Sequence, residues 1–181
     1  MKPEWKILLV DDEPNVLAGF QRNLRQRFAL DTAQSGAEAL HKIEQHGPYA
    51  VIVADMQMPE MNGLELLVQV QARHPDTVRI MLTGNADQKT AVDAVNRGQV
   101  FRFLNKPCPV ELLAQTLQAA LHQYQLITAE RELLERTLNG TIRLLTEVLS
   151  SLHPTAFQLS QRLRQAVRDY AAFFKLPSSW D

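Results

Sequence analysis

The sequence predicts a doubly wound α/β domain, a five-stranded parallel sheet with helices on both faces, followed by a long helical extension. Three observations lead there. Short apolar runs alternate with helical patterns from Lys6 to about Asn105. The runs Ile7–Val10, Val51–Ala54, Val78–Leu82 and Phe101–Leu104 each stop abruptly on a polar or charged residue. After Pro109 strand signals cease, and apolar residues recur at alternating spacings of about four and three. Strands alternating with helices imply parallel pairing and right-handed crossovers, whereas the four-three spacing is the coiled-coil heptad.

The elements follow in order. Ile7-Leu-Leu-Val10 ends on Asp11-Asp12-Glu13, and Pro14 suits the first turn of a helix carrying Val16, Leu17, Phe20 and Leu24 to about Arg27. Phe28-Ala-Leu30 is a weaker strand. Ser35 caps the next helix, with Glu38 completing a capping box and Gly47-Pro48 closing it. Val51 to Ala54 is the central strand, and Leu64, Leu67, Val68 and Gln71 mark the helix that stops near His74-Pro75. Val78 to Leu82 ends on Thr83-Gly84. Asp87 to Arg97 is a rather polar helix, and Phe101 to Leu104 ends on Asn105-Lys106-Pro107.

Beyond Pro109, Leu113, Leu117, Ala120, Tyr124, Ile127, Arg131, Leu134, Leu138, Thr141, Leu145, Val148 and Leu152 follow the heptad, with only Arg131 and Thr141 polar. Such a helix, about 60 Å long at 1.5 Å per residue, cannot pack wholly against a domain of this size. Its economical partner is a second copy, giving a homodimer through the helix from about Leu113 to Leu152. The rival is a helix broken at Asn139-Gly140 and folded back. His153-Pro154 ends it, and Thr155 to Lys175 forms another amphipathic segment. The expected division is therefore 1–122 for the α/β domain, 123–153 for a linker helix and 154–181 for a C-terminal helix. That last helix looks unfinished, as the start of a truncated output domain would.

Composition bounds the function. With 181 residues, 45% hydrophobic and 22% charged, the chain reads as a soluble globular protein with an ample core. A net charge of −1 gives no overall pull toward nucleic acid or an anionic membrane. The single cysteine, Cys108, excludes an internal disulfide and points to a reducing compartment. The polar start Met1–Lys6 is no signal peptide, and no apolar run is long enough to span a bilayer. A cytoplasmic location is expected.

The chemistry centres on Asp55. Ligands of open α/β sheets bind beyond the C-terminal strand edge, where Asp55 falls, although on this stretch alone it serves equally as a cap for the helix beginning near Asn62 or Gly63. Placing the strand tips together separates the two. Asp11, Asp12, Asp55, Thr83 and Lys106 converge on one edge, and three carboxylates there repel one another without a cation. A hard divalent metal is required, and Mg2+ fits, because it binds a few carboxylates while keeping waters and phosphoryl oxygens. Asp55 is then a nucleophile forming an acyl phosphate, with Thr83 and Lys106 holding the phosphoryl oxygens.

These residues resemble the receiver domain of bacterial two-component response regulators, over about residues 5–122. The motifs are Asp11-Asp12, Asp55 in Asp-Met-Gln-Met-Pro-Glu-Met-Asn-Gly63, Thr83, and Lys106-Pro107. The resemblance implies a flavodoxin-like sheet of order 2-1-3-4-5 and phosphorylation of Asp55 by a sensor histidine kinase or phosphotransfer protein. It implies magnesium bound by Asp12, by Asp55, by the Gln57 backbone carbonyl and, largely through water, by Asp11. It implies pairing of Lys106 with Asp55, a cis Lys106-Pro107 bond, and a switch in which Thr83 moves toward phosphate and Phe103 turns inward. Gln57 and Asn85 stand where the family tunes phosphate loss. The stretch Asn96–Pro107 is similar to receivers joined to HD-type phosphohydrolase domains. The tail lacks the metal-binding histidine and the His-Asp pair of that domain, so no catalytic residue is assigned there.

Remaining features carry less. His41, His46, His74, His122 and His153 lack ligand spacing, Arg22, Arg25 and Arg27 form a solvated helix face, and Gly63 and Gly84 make no phosphate-cradling loop. The alternatives to a phosphorylated signalling module are a dimerising scaffold with a silent receiver, and a phosphatase. The phosphatase would need a general acid where Gln57 stands.

Overall fold

Strands buried on both sides build two cores from one sheet. The computed structural model describes residues 5–84 and 100–152, with residues 154, 162, 165–167, 169 and 170. The expected helix over Asp87–Arg97 and most of Thr155–Lys175 lie outside these described residues. The elements are β1 (Lys6–Val10), α1 (Pro14–Leu24), β2 (Ala29–Ala33), α2 (Gly36–His46), β3 (Val51–Asp55), α3 (Gly63–Arg73), β4 (Val78–Thr83), β5 (Arg102–Asn105) and a long helix, Val110–Leu152. The sheet has the expected order β2-β1-β3-β4-β5, and each neighbouring pair is parallel. The chain divides into two compact units, Met1–Ala129 and Glu130–Asp181.

Side chains alternate across the sheet. Ile7, Leu9, Val51, Val53, Ile80 and Leu82 pack with Leu17 and Leu24 of α1 and with Leu113 and Leu117 of the long helix. Leu8, Val10, Ile52, Ala54 and Met81 pack instead with Ile43 of α2 and with Leu66, Leu67 and Val70 of α3. Continuing the alternation puts Asp11, Asp55 and Lys106 in phase with the α1 side. Thr83 and Phe103 are in phase with the α3 side.

Several local expectations are refined. α1 ends at Leu24 rather than near Arg27, because a tight turn follows in which the Arg27 and Phe28 amides donate to the Leu24 carbonyl at 2.9 and 3.0 Å. β2 covers Ala29–Ala33 and not Phe28–Leu30. It is an edge strand whose extent is set by backbone pairing to β1, from Lys6 with Ala29 to Val10 with Ala33, so polar Asp31 and Thr32 are accepted. Ser35 receives the Glu38 amide at 3.1 Å, but Glu38 takes the Gln34 amide at 2.8 Å, so the reciprocal half of that box is displaced by one residue. The buried face of α3 is Gly63, Leu66, Leu67 and Val70, whereas Val68 is 41% exposed.

The long helix runs unbroken through Asn139-Gly140, 43 residues or about 65 Å. Its first turns belong to its own domain. Leu113, Leu117 and Ala120 are fully buried, Tyr124 and Ile127 pack against the same core, and Tyr124 meets Trp5 edge-on at 6.3 Å between centroids. The exposed part of the heptad stripe therefore begins past Ile127, and not near Leu113. From Leu134 onward the heptad leucines and Val148 are each more than half exposed.

Gly63 is fixed by close approach. A Cβ there would lie 2.1 Å from the Asp55 carbonyl oxygen and 2.8 Å from its carbon, both backbone atoms that cannot swing away. Gly63→Ala is expected to destabilise the domain by about 2–3 kcal/mol in denaturant titration. Gly19→Ala, in the middle of α1 with nothing within 4 Å of the added methyl, is expected to stabilise it by about 0.5 kcal/mol.

Candidate functional site

The site is built by strand pairing carried just past the strand ends. The Asp11 amide donates to the Ala33 carbonyl at 3.2 Å, Met56 to Leu82 at 2.8 Å and Lys106 to Thr83 at 2.8 Å. These bonds fix where the terminal side chains emerge. The Lys106 ammonium then spans two of them, 2.8 Å from Asp11 Oδ2 and 3.0 Å from Asp55 Oδ1. Carboxylate oxygens of Asp11, Asp12 and Asp55 all lie within 4.8 Å of one another. The Lys106–Pro107 peptide is cis.

Charge is unbalanced here. Three carboxylates face one ammonium, 3 − 1, leaving a formal −2. Asp55 is 6% exposed and Asp11 1%. Burial pushes the Asp55 carboxyl above its ordinary range, Lys106 pulls it back, and Asp11 and Asp12 push it up again. For Lys106, burial opposes the charged form, but hydrogen bonds to Asp11 and Asp55 outweigh it and hold the ammonium above its usual value. The two partners move in the same direction because burial, the largest influence on Asp55, outweighs the lysine there with help from Asp11 and Asp12, whereas at Lys106 the two carboxylates outweigh burial. A divalent cation would cancel the residual charge, and the all-oxygen donor set suits a hard one.

The donors are not equivalent. Both Asp11 oxygens are engaged, Oδ1 by the Glu13 amide at 2.9 Å and Oδ2 by Lys106. Asp12 is the most exposed of the three acids and, with Gln57, Met56, Met58, Pro59 and Asn62, lines an open groove of about 540 Å³. The Asp55 cap alternative is removed, since α3 is capped by Asn62. Asn62 Oδ1 receives the Glu65 amide at 2.9 Å and Glu65 receives the Asn62 amide at 3.1 Å, a complete capping box. The Asn-Gly-Leu-Glu65 spacing carried that signal in the sequence.

The Thr83 hydroxyl and the Phe103 ring form no hydrogen bond or ion pair with the cluster carboxylates among the described residues. Thr83 is 1% exposed and its hydroxyl donates to the Gly84 carbonyl at 3.1 Å, while half-buried Phe103 packs in the α3-side core. Asn85 lies outside the described residues. Arg27, in the turn after α1, pairs with Glu111 at 3.1 Å, so the basic cluster of Arg22, Arg25 and Arg27 is partly neutralised. Burial pushes the Cys108 thiol up, away from thiolate chemistry. No described helix is long and apolar enough to cross a membrane.

The electrostatics make a stability prediction. With its folded pKa raised, Asp55 contributes stability that is present below the unfolded carboxylate pKa and lost as pH rises through the folded one. In chelated buffer at neutral pH, Asp55→Asn is therefore expected to raise the melting temperature. The gain should shrink toward pH 3, and a variant that melts lower than the parent at neutral pH would contradict it.

Comparison with known proteins agrees with this geometry. The family model described as the response regulator receiver domain matches residues 7–118. The chain is 35% identical over 126 residues to the transcriptional regulatory protein GlrR of Escherichia coli K12, covering 69% of this chain and 28% of that one. The chain thus spans about a quarter of the length of such curated relatives. Among solved structures, one described as an adenylate cyclase from Rhodopirellula baltica superposes with a TM-score of 0.71 at 46% identity, covering 72% of this chain and 96% of that one. The signal receiver domain of an HD domain-containing protein from Pseudomonas fluorescens Pf-5 gives 0.64 at 30% identity, with 73% and 95% covered. This last likeness supports the expected link to HD-associated receivers. With the matched family model covering all of the sheet but Lys6, its acidic edge and the first turns of the long helix, the chain belongs to the response regulator receiver family.

Proposed function

We propose that the protein is a phosphorelay receiver that accepts a phosphoryl group on Asp55 from a sensor histidine kinase or phosphotransfer protein, with magnesium at the acidic edge. The observation that carries this reading is the Lys106 ammonium bridging Asp11 and Asp55 beside Asp12. In the reaction an Asp55 carboxylate oxygen attacks phosphorus while the bond from phosphorus to the donor breaks, and the electron pair leaves with the donor. Lys106 stays within reach of the developing phosphoryl charge through its contact with Asp55, and Asp11 holds the lysine in place. Thr83 supplies a hydroxyl at the neighbouring strand end. The metal, when bound, offsets the cluster's negative charge and thereby favours the ionised nucleophile. Asp12, Asp55 and the Gln57 carbonyl would hold it directly, and Asp11, whose oxygens are already engaged, through water.

The switch and its readout follow in the same reading. Capture of the Thr83 hydroxyl by phosphate vacates space that Phe103 enters, a local charge event biasing a two-state element. The change passes to the long helix, which acts as a homodimerisation element leading to an output domain. The receiver itself turns over only its own phosphate. The balanced charge and lone cysteine support a cytoplasmic location without direct nucleic-acid or membrane binding.

Incubation with magnesium and acetyl phosphate should add the mass of about one phosphoryl group. The adduct should be lost in Asp55→Asn and on chelation, and the absence of any adduct on the parent protein sinks the reading. Light scattering with and without beryllofluoride addresses assembly. A dimer in at least one state is expected, and a monomer in both refutes the helix-mediated dimer.

A further inference from the structure

We infer that Lys42 guards the open edge of β2, and that the partner it keeps off is the same edge of a second copy, which would otherwise add to the sheet strand against strand. The inference is independent of the helix-mediated dimer. β2 is the outermost strand and pairs with β1 alone. The Asp11 amide donates to the Ala33 carbonyl, so Ala33, and with it Asp31 and Ala29 by alternation, turn their main-chain groups toward β1. Leu30 and Thr32 therefore turn theirs outward. Each presents an amide and a carbonyl in the row that templates strand addition.

The strand carries little protection of its own. In Ala29-Leu-Asp-Thr-Ala33 the one charged residue, Asp31, is tied down, its carboxylate taking the hydroxyl of buried Tyr49 at 2.7 Å. A groove of about 350 Å³ lined by Gln21, Thr32, Lys42 and His46 lies here, so the edge is reachable from solvent. Protection comes from α2. Lys42 donates to the Thr32 carbonyl at 2.5 Å, which fills one outward acceptor and sets an ammonium in the path of an incoming strand. The lysine is itself held by Glu38, one helical turn earlier, at 2.7 Å, and the other Glu38 oxygen takes the Gln34 amide at 2.8 Å just past the strand end. So exposed an ion pair adds little to stability, and its placement is what matters. Two copies meeting edge to edge about a two-fold axis would bring both Lys42 ammonium groups to one seam, where each must lose water and face the other. The same side chain therefore opposes this partner twice.

The test uses the full chain in a concentration series, with the parent's own mass, whether one chain or two, as the reference. In sedimentation equilibrium Lys42→Ala should reach twice that mass at concentrations where the parent does not associate further. Hydrogen exchange read at single amides should slow at Leu30 and Thr32 in the associated variant, because those outward groups become paired, while both exchange fast in the parent. Lys42→Arg keeps a cationic donor and should hold the parent's mass. A Lys42→Ala chain that keeps the parent's mass overturns the guard, and a lowered melting temperature in that case marks the lysine as a tether of α2 alone. Association that leaves Leu30 and Thr32 exchanging as fast as in the parent overturns the strand-to-strand contact. Association of Lys42→Arg equal to that of Lys42→Ala overturns the role of the charge.

Discussion

Everything at the carboxyl edge of the sheet depends on one ammonium group holding apart, and together, acids that would otherwise repel. Lys106 reaches Asp11 from the far side of β4 and Asp55 from two strands away, and it does so from a backbone pinned to Thr83 by a strand-like hydrogen bond. Without it, two buried carboxylates would sit close together in a low-dielectric edge. With it, the cluster is tolerable and still short of positive charge. That incompleteness is the useful property, because a site already neutral would have no call on a cation.

The sequence made the chemistry more legible than the packing. Asp11, Asp12, Asp55, Thr83 and Lys106 each follow an apolar run, and a parallel sheet has only one edge where such residues can meet, so topology converts linear order into proximity. Helix faces were harder. In α3 the choice between Leu64 and Val68 on one side and Leu66 and Val70 on the other turns on Gly63, which must lie against the Asp55 carbonyl and so fixes the helix rotation. Edge strand β2 was hard for the opposite reason, since its limits come from pairing with β1 and its own residues are mostly half-exposed.

The long helix divides its heptad between two tasks. Leu113, Leu117 and Ala120 complete the core under β1, β3 and β4, whereas the same pattern past Leu134 meets nothing in its own chain among the described residues. Periodicity could not distinguish them, because burial in a domain and burial in a coiled coil ask for the same spacing. Only the position of the sheet says where the first task ends.

The alternation of the strands places a quieter limit on how such a chain can evolve. Asp55 is in phase with Val51 and Val53, and Lys106 with Leu104, so each working side chain emerges on its side of the sheet by parity. Inserting or deleting one residue within β3 would invert that parity and send the carboxylate to the opposite layer with every residue name preserved. Length variation is therefore confined to the connections. The spacing from Val51 to Asp55 is as much a requirement of this site as the aspartate itself.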